Sequence, residues 1–202
     1  ALNTSILLFA YPFLSSDVFN YMFDAKIITH YHQNPYTHKP LDFPQDDWIR
    51  FMRWVHRYSP YGPVWLLAST IPSVLGFGKF VLTLLTFKIF IAAFHFLNAY
   101  LIYKTLQKLN PKLALFGTAF YALNPLFLIE GVANAHNDIV VASFILMPIY
   151  FVVQKKLALS FVSQLVGTLI KYIPIVNLPW LLWKAFDKNA EVEKLILLNL
   201  LT

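Results

Sequence analysis

Long apolar runs alternate with short polar connections along this chain, a pattern that predicts membrane-spanning helices. The clearest run covers residues 79–103, about 25 residues or about 37 Å of helix, which is enough to cross a bilayer. Residues 113–129 are expected to return across the membrane, and residues 139–153 to cross it again. The run at 63–78 is interrupted by proline and glycine, so we expect it to lie in the interface or dip into it.

Residues 157–186 allow two interpretations. The preferred one is a hairpin of two short helices that turns near Lys171 and Pro174, because proline breaks a helix interior. The alternative is a single span with an intramembrane lysine. The apolar runs at 2–14 and 195–201 are each too short to span, so both are expected to be truncated helices.

Composition supports a membrane protein and excludes an ordinary soluble domain. Hydrophobic residues make up 58% of the 202 positions and charged residues only 13%, against about a quarter charged in soluble proteins. The chain has no cysteine, which excludes disulfides and cysteine-ligated metals. We therefore predict an all-α fold, a polytopic transmembrane helical bundle with interfacial helices in a long first extracytoplasmic loop.

The distribution of lysines predicts the orientation of the bundle. The net charge of +6 is not taken to indicate nucleic-acid binding, because the lysines collect in three short connections, as cytoplasmic loops do. Residues 15–62 carry five acids and five bases and are placed outside the cytoplasm. The three lysine groups are Lys104, Lys108 and Lys112, then Lys155 and Lys156, then Lys184, Lys188 and Lys194.

The first candidate site begins the outer loop. Ser15 and Ser16 suit a helix N-cap, and Asp17 then falls in the first turn, where the helix dipole favours a carboxylate. Helical spacing puts four polar residues on one face, so we expect an interfacial helix that displays them: Asp17, Asn20, Tyr21 and Asp24. The simpler interpretation is an N-cap aspartate without chemistry.

The second candidate lies at residues 46–57, where an amphipathic interfacial helix is predicted. Its polar face holds Arg50, Arg53 and Arg57, which suit a lipid phosphate. The simpler interpretation is contact with headgroups and an Asp46–Arg50 ion pair. Residues 33–36 are expected to form a plain turn that ends the preceding helix, and residues 58–63 a rigid turn that positions its neighbours.

The third candidate is a polar cluster between two predicted spans. Its members are Glu130, Asn134, His136, Asn137 and Asp138, and ionisable groups at membrane depth favour a functional interpretation. The simpler interpretation is that Asn137 or Asp138 caps the next helix, which accounts for only one residue of this cluster. No histidine spacing indicates a metal site. Lys171 either snorkels to the interface or pairs with an anionic lipid phosphate.

Taken in order, the Ser-Ser-Asp17-Val-Phe-Asn-Tyr21, Asn34-Pro35-Tyr36, Ser59-to-Pro63, Asn124-Pro125 and Glu130-to-Asp138 segments resemble those of polyprenol-phosphate-mannose-dependent mannosyltransferases. These belong to the C-type (GT-C) membrane glycosyltransferase superfamily. The resemblance covers roughly residues 10–180 and implies a multi-pass cell-membrane enzyme of about a dozen spans, with this chain as its front half.

The resemblance also implies the chemistry. Asp17 occupies the position of the general base, the donor is a sugar on a polyprenyl phosphate, and the anomeric centre is usually inverted. No metal or cofactor is expected. Mannose is the favoured sugar, and the acceptor, a glycolipid or glycan, stays open. The chain is then one transmembrane catalytic module over 1–202: the end of a first span (1–14), the outer loop (15–78) and further spans (79–202).

The other candidate residues named above are expected to bind substrate. Glu130, Asn134 and His136 are expected to orient the acceptor or the donor phosphate, and a shared site requires Asp17 within about 12 Å of that cluster. A transporter or lipid flippase is the main alternative and predicts that Lys171 and Glu130 face each other in a central cavity. A non-catalytic scaffold subunit predicts no pocket around Asp17.

Overall fold

The computed structural model describes residues 2–186, and every regular element in that range is helical, which confirms the all-α prediction. Residues 187–202 lie outside it, and with them Lys188, Lys194 and the apolar run at 195–201. The α-helices are α1 (Leu2–Leu7), α2 (Asp17–Thr29), α3 (Pro63–Leu75), α4 (Phe80–Leu109), α5 (Pro111–Ala122), α6 (Asp138–Val153), α7 (Leu157–Ile170) and α8 (Leu178–Phe186). Short 3-10 helices cover Pro40–Asp42, Asp47–Phe51 and Ile173–Asn177, and a π-helix covers Phe127–Ala133.

Helix α4 is long and apolar enough to cross a membrane, and it extends beyond the predicted end at residue 103. Helix α5 and the π-helix qualify together as a second span, bent by 56° at their break. Helices α3, α6 and α7 are apolar but shorter than a full span. The predicted break near Lys171 is present, because α7 ends at Ile170 and a 3-10 turn precedes α8.

The bundle has two chemically different ends. Helix α4 packs against α5 and α6, and α6 packs against α7. Asp138, the first residue of α6, accepts a hydrogen bond from Lys171, which follows α7. Glu130 of the π-helix lies at the same end of the bundle, beside His136. The connections at the opposite end carry the lysines of 104–112 and 155–156, without an acidic residue.

The structure corrects the prediction for α2, whose polar face is largely covered. Asn20 is 7% exposed and Asp24 only 4%, so this helix does not display them at a surface. The reason is that the outer loop and α3 fold over that face. Tyr61 and Trp65 both pack edge-on against Tyr21, at centroid distances of 5.0 and 5.1 Å.

The amphipathic helix predicted at 46–57 is also wrong. Only a 3-10 helix forms, Asp47–Phe51, and it ends at Met52 in extended backbone. Tertiary contacts override the helical spacing: Phe51 stacks on Phe80 at 4.2 Å, and the carbonyl of Val55 accepts a hydrogen bond from Leu41. The expected Asp46–Arg50 pair is replaced by Lys26, whose Nζ lies 2.6 Å from Asp46 Oδ2.

The first apolar run is helical only to Leu7, although the sequence predicts helix to residue 14. Pro12 follows in this run and has no backbone N–H with which to continue the helix. Lys88 of α4, a buried side chain, binds the end of α1, because its Nζ donates to the carbonyl oxygens of Leu7 and Ala10. The ammonium group thus satisfies carbonyls that the end of α1 leaves free. Residues beyond α1 lead in a non-helical path to Asp17.

Candidate functional site

Three segments distant in sequence bring charged side chains together at one end of the bundle. The imidazole of His136 lies at the centre, with Nδ1 3.7 Å from Asp17 Oδ2 and 3.6 Å from Asp138 Oδ2. Its Nε2 lies 3.6 Å from Glu130 Oε2. Lys171 completes the group, with Nζ 2.7 Å from Asp138 Oδ1. Asp17 therefore lies within reach of the polar cluster of residues 130–138, well inside the limit of about 12 Å expected from the sequence.

Asn134 connects the segment that leads to Asp17 with the polar cluster of residues 130–138. Its Oδ1 accepts hydrogen bonds from the backbone N–H groups of Phe13 and Leu14, at 3.0 and 3.2 Å. Its Nδ2 donates to Glu130 Oε2 at 3.1 Å. Because Asn134 is fully buried, these bonds fix the approach of the chain to Asp17.

Asn137 makes a second connection, between the polar cluster of residues 130–138 and helix α2. Its Oδ1 accepts a hydrogen bond from the hydroxyl of Tyr21 at 3.4 Å, and both residues are buried. Asn137 also stands at the N-cap position of α6, but its side chain makes no capping bond. Its contact with Tyr21 holds the start of α6 against α2, one turn beyond Asp17.

The backbone around His136 is irregular. A π-helix covers Phe127–Ala133, and Ala135 has a φ of 55° although it is not glycine. Both features are uncommon and often occur at functional sites, where the surrounding structure holds a strained conformation. Here they turn Glu130, Asn134 and His136 toward one another.

Electrostatics distinguish the members of the cluster. The neighbouring Asp138 carboxylate has the largest effect on the pKa of His136 and raises it, and Asp17 and Glu130 act in the same direction against burial. The His136 imidazole, followed by Lys171, lowers the pKa of Asp138 to about 2. At neutral pH, Asp138 is therefore ionised, and His136 is more often protonated than a free histidine.

The two predicted turns form a scaffold around Lys171. Pro35 accepts a hydrogen bond from the backbone of Ser59 at 2.9 Å, and the Tyr36 hydroxyl donates to the carbonyl of Tyr61 at 2.7 Å. Gly62 N–H then donates to the carbonyl of Ile170 at 3.0 Å, directly before Lys171. A Cβ on Gly62 would lie 2.0 Å from the Leu169 carbonyl oxygen, so only glycine permits this approach.

The arginines expected to hold a lipid phosphate do not join this cluster. Arg50 and Arg53 are exposed, with their guanidinium groups 5.2 Å from the rings of Phe51 and Trp54 respectively. Arg57 lies 4.4 Å from the Trp54 ring and lines a separate cleft with Asn20 and Asp24. These residues were grouped by helical spacing, and the helix that would align them does not form.

A cavity of about 310 Å³ adjoins the charged cluster. Glu130, His136 and Asp138 line its polar side. Apolar groups line the rest: Leu126, Phe127, Gly131 and Ile139. The site therefore offers a charged wall and an apolar wall to a single ligand.

Sequence reasoning missed two residues, one in contact with Tyr21 and one that binds the segment leading to Asp17. Tyr61 was predicted only as part of a turn, yet its ring contacts Tyr21. Burial raises the pKa of the Tyr61 hydroxyl, and the nearby Asp17 carboxylate acts in the same direction. Lys88 was overlooked, although it was visible as a charge within the apolar part of the span-length helix α4. Among residues 2–186, no group of His, Asp or Glu has an arrangement suited to a metal ion.

Comparison with known proteins identifies the family. Residues 6–187 match the family model of the alpha-(1->6)-mannopyranosyltransferase N-terminal domain. No curated protein and no solved structure matches the chain. Since the family model covers most of the chain, and the motifs expected of a mannosyltransferase fall within the match, the protein belongs to the alpha-(1->6)-mannopyranosyltransferase family.

Proposed function

We propose that this protein transfers mannose from a polyprenyl-phosphate-linked donor to a hydroxyl group of a glycolipid or glycan acceptor, at the extracytoplasmic face of the membrane. Family membership supplies mannose transfer. The observation that carries the mechanism is the meeting of Asp17 with His136 beside a cavity that is charged on one side and apolar on the other.

Asp17 is assigned the role of general base. Its side chain is 31% exposed, so an acceptor can reach it, and it starts a helix that is otherwise buried. A sugar hydroxyl is a poor nucleophile at neutral pH, and a carboxylate within hydrogen-bond reach accepts its proton during attack. The family's 1→6 linkage makes this hydroxyl the primary one at C6 of the acceptor sugar.

The cavity next to His136 is assigned to the donor. Its volume of about 310 Å³ is at the lower end for small-molecule sites, so it suits a sugar phosphate with the start of a prenyl chain along the apolar wall. His136 and Lys171 are the cationic groups that can stabilise the leaving phosphate. Glu130, Asn134, Asn137 and Asp138 hold these groups in position.

In the reaction, the acceptor oxygen forms a bond to the anomeric carbon of mannose while the bond from that carbon to the phosphate oxygen breaks. The phosphate leaves with the bonding electron pair as polyprenyl phosphate. The hydroxyl proton passes to Asp17. All reactants are the two substrates and this carboxylate, so the proposal requires no cofactor.

A multi-pass arrangement in the cell membrane fits this chemistry, because the lipid tail of the donor stays in the bilayer. The span-length helix α4 and the apolar helices around it support such an arrangement. The charged site lies at the end opposite the lysine connections, which the positive-inside tendency assigns to the cytoplasm. The site then opens on the extracytoplasmic side.

The transporter alternative receives no support from the position of Lys171. Its ammonium group binds Asp138 at one end of the bundle and does not face Glu130 across a central cavity. The scaffold alternative required an Asp17 without a pocket, and a cavity adjoins the His136 group that Asp17 contacts.

The test compares transfer of radiolabelled mannose from polyprenyl-phosphate-mannose in membranes that carry the full-length parent protein, either wild type or Asp17→Asn. We expect at least a 100-fold loss of transfer in the variant, the scale typical of a lost general base. Asp47→Asn is the matched control, because Asp47 is exposed and starts the 3-10 helix of the outer loop. Equal transfer by wild type and Asp17→Asn, at equal expression, would exclude Asp17 from the chemistry.

A further inference from the structure

Lys88 is a buried cation in the span-length helix α4, and the proposed mechanism assigns it no role. It is 2% exposed, and no carboxylate among the residues that the structure describes lies within ion-pair distance of its ammonium group. A charged group at membrane depth is costly unless it is hydrogen-bonded, which favours a functional interpretation. Its acceptors are the backbone carbonyl oxygens of Leu7, at 2.8 Å, and Ala10. The charge therefore acts on the stretch of backbone that precedes Asp17.

Residues 8–16, the approach segment, connect α1 with Asp17 outside any regular helix. Pro12 is the one buried residue of this segment. The large apolar side chains beyond Leu8 are each at least 59% exposed: Phe9, Tyr11, Phe13 and Leu14. Side-chain packing within the described chain therefore contributes little to the path of the approach segment, and hydrogen bonds to its backbone contribute more.

Two side chains from other parts of the bundle bind this backbone. Lys88 of α4 donates to the carbonyl oxygen of Ala10, seven residues before Asp17. Asn134, which follows the π-helix, accepts hydrogen bonds from the N–H groups of residues 13–14, at 3.0 and 3.2 Å. The approach segment is thus held at two places, and Lys88 is the contact near its start.

The start of α2 depends on this support because it lacks a side-chain cap. Ser16 stands at the N-cap position, and its side chain makes no capping hydrogen bond. The N–H group of Asp17 donates to Ser15 Oγ, itself part of the approach segment, at 3.2 Å. Asp17 is the first residue of the helix, and its side chain is 31% exposed. The direction of its carboxylate therefore follows the path of the approach segment.

We propose that Lys88 is a positioning residue, which holds the approach segment in the path that presents the Asp17 carboxylate to the acceptor hydroxyl. This inference rests on the proposed function, in which Asp17 is the general base. The hydrogen bonds from Lys88 are charge-assisted and therefore stronger than those between neutral groups. Their loss frees the start of the approach segment from α4, and a displacement of a reacting group by about 1 Å can cost about 100-fold in rate.

Lys88→Met and Lys88→Gln test this role in membranes that carry the full-length parent protein. Methionine keeps an unbranched side chain without a donor, and glutamine keeps a shorter side chain with a donor. We expect kcat per folded molecule to fall about 100-fold in Lys88→Met and less in Lys88→Gln. The KM for polyprenyl-phosphate-mannose should stay within about twofold of wild type, because other residues line the donor cavity. The folded fraction is measured by size-exclusion chromatography in detergent.

A double variant separates positioning from a general weakening of the bundle. If Lys88 acts through Asp17, Lys88→Met should lower the residual transfer of Asp17→Asn by less than about threefold, because the effects of residues that act as a unit are not additive. Lys104→Met is the control, since it makes the same replacement near the other end of α4, where Lys104 lies beside Gln107. It should leave kcat unchanged in both backgrounds.

Several results would overturn the inference. A wild-type kcat in Lys88→Met, or a loss confined to the folded fraction, would show that Lys88 contributes to stability alone. A similar loss of transfer in the wild-type and Asp17→Asn backgrounds would show that Lys88 does not act through Asp17. Equal transfer by Asp17→Asn and wild type would instead refute the proposed function of Asp17, and this outcome is seen without any Lys88 variant.

Discussion

His136 holds its imidazole 3.7 Å from the carboxylate of Asp17, although Asp17 starts α2 and His136 lies in the connection between the π-helix and α6. The contact joins a carboxylate accessible to an acceptor with a ring that lines the apolar cavity. Under the proposed function, this is the site at which the acceptor hydroxyl and the lipid phosphate meet.

The pH dependence of transfer is expected to report on His136. Asp138 is the main cause of its raised pKa, and in the proposed mechanism the protonated ring is the form that stabilises the leaving phosphate. Activity should therefore fall as pH rises through this pKa, and Asp138→Asn should move the fall to lower pH. The measurement is kcat/KM for the donor across roughly pH 6 to 9, with Asp47→Asn as control. An unchanged alkaline limb in Asp138→Asn would remove His136 from the step.

Replacement of Gly62 by alanine is expected to lower activity about 100-fold, the cost of a misplacement of about 1 Å. The new Cβ would lie 2.0 Å from the Leu169 carbonyl oxygen, and the backbone before Lys171 must shift. Mannose transfer is measured at matched expression. Gly117→Ala is the control, since its Cβ would meet only the Cδ1 tip of the Leu106 side chain at 2.5 Å. Activity within about twofold of wild type for Gly62→Ala would show that this close approach does not position Lys171.

The stability of the protein should depend on Asp24 in a direction opposite to that of most carboxylates. Burial raises the pKa of Asp24 from 3.8 to about 7, so the native state binds its proton more tightly than the unfolded state does. Stability then falls as pH rises from about 4 to about 7 and stays low above that range.

Asp24→Asn removes this penalty. Its unfolding free energy relative to wild type should increase by roughly 2–3 kcal/mol between pH 5 and pH 8. Thermal unfolding of detergent-solubilised protein at the two pH values checks this expectation, with Asp47→Asn as control. A difference that is the same at both pH values would mean that Asp24 is ionised throughout.

Several features of the fold follow from simple sequence patterns. The apolar runs predicted α4, α6 and α7, because the composition of such helices can be recognised without knowledge of any tertiary contact. The break after Ile170 followed from Pro174. The proximity of Asp17 to His136 was expected because both were assigned to the same side of the membrane.

Other features depend on tertiary contacts that the sequence does not display. Helical spacing aligned Arg50, Arg53 and Arg57, but Phe51 packs on Phe80 and the helix ends there, after Arg50 and before the other two arginines. The burial of Asp24 requires the outer loop to fold back over α2, which no local pattern indicates. Lys88 reaches the carbonyls of a segment about eighty positions earlier, a contact visible only in the fold.

The hydrogen bonds from Phe13 and Leu14 to Asn134 join residues 121 and 120 positions apart. During synthesis, the chain emerges from its N-terminus, so α2 and Asp17 are made long before their partners. The charged group is complete only once Lys171 has followed α7 into place. The backbone N–H groups of Phe13 and Leu14 therefore wait for their partner until Asn134 has been made, and the segment that leads to Asp17 takes its final path only when the second half of the described chain folds against it.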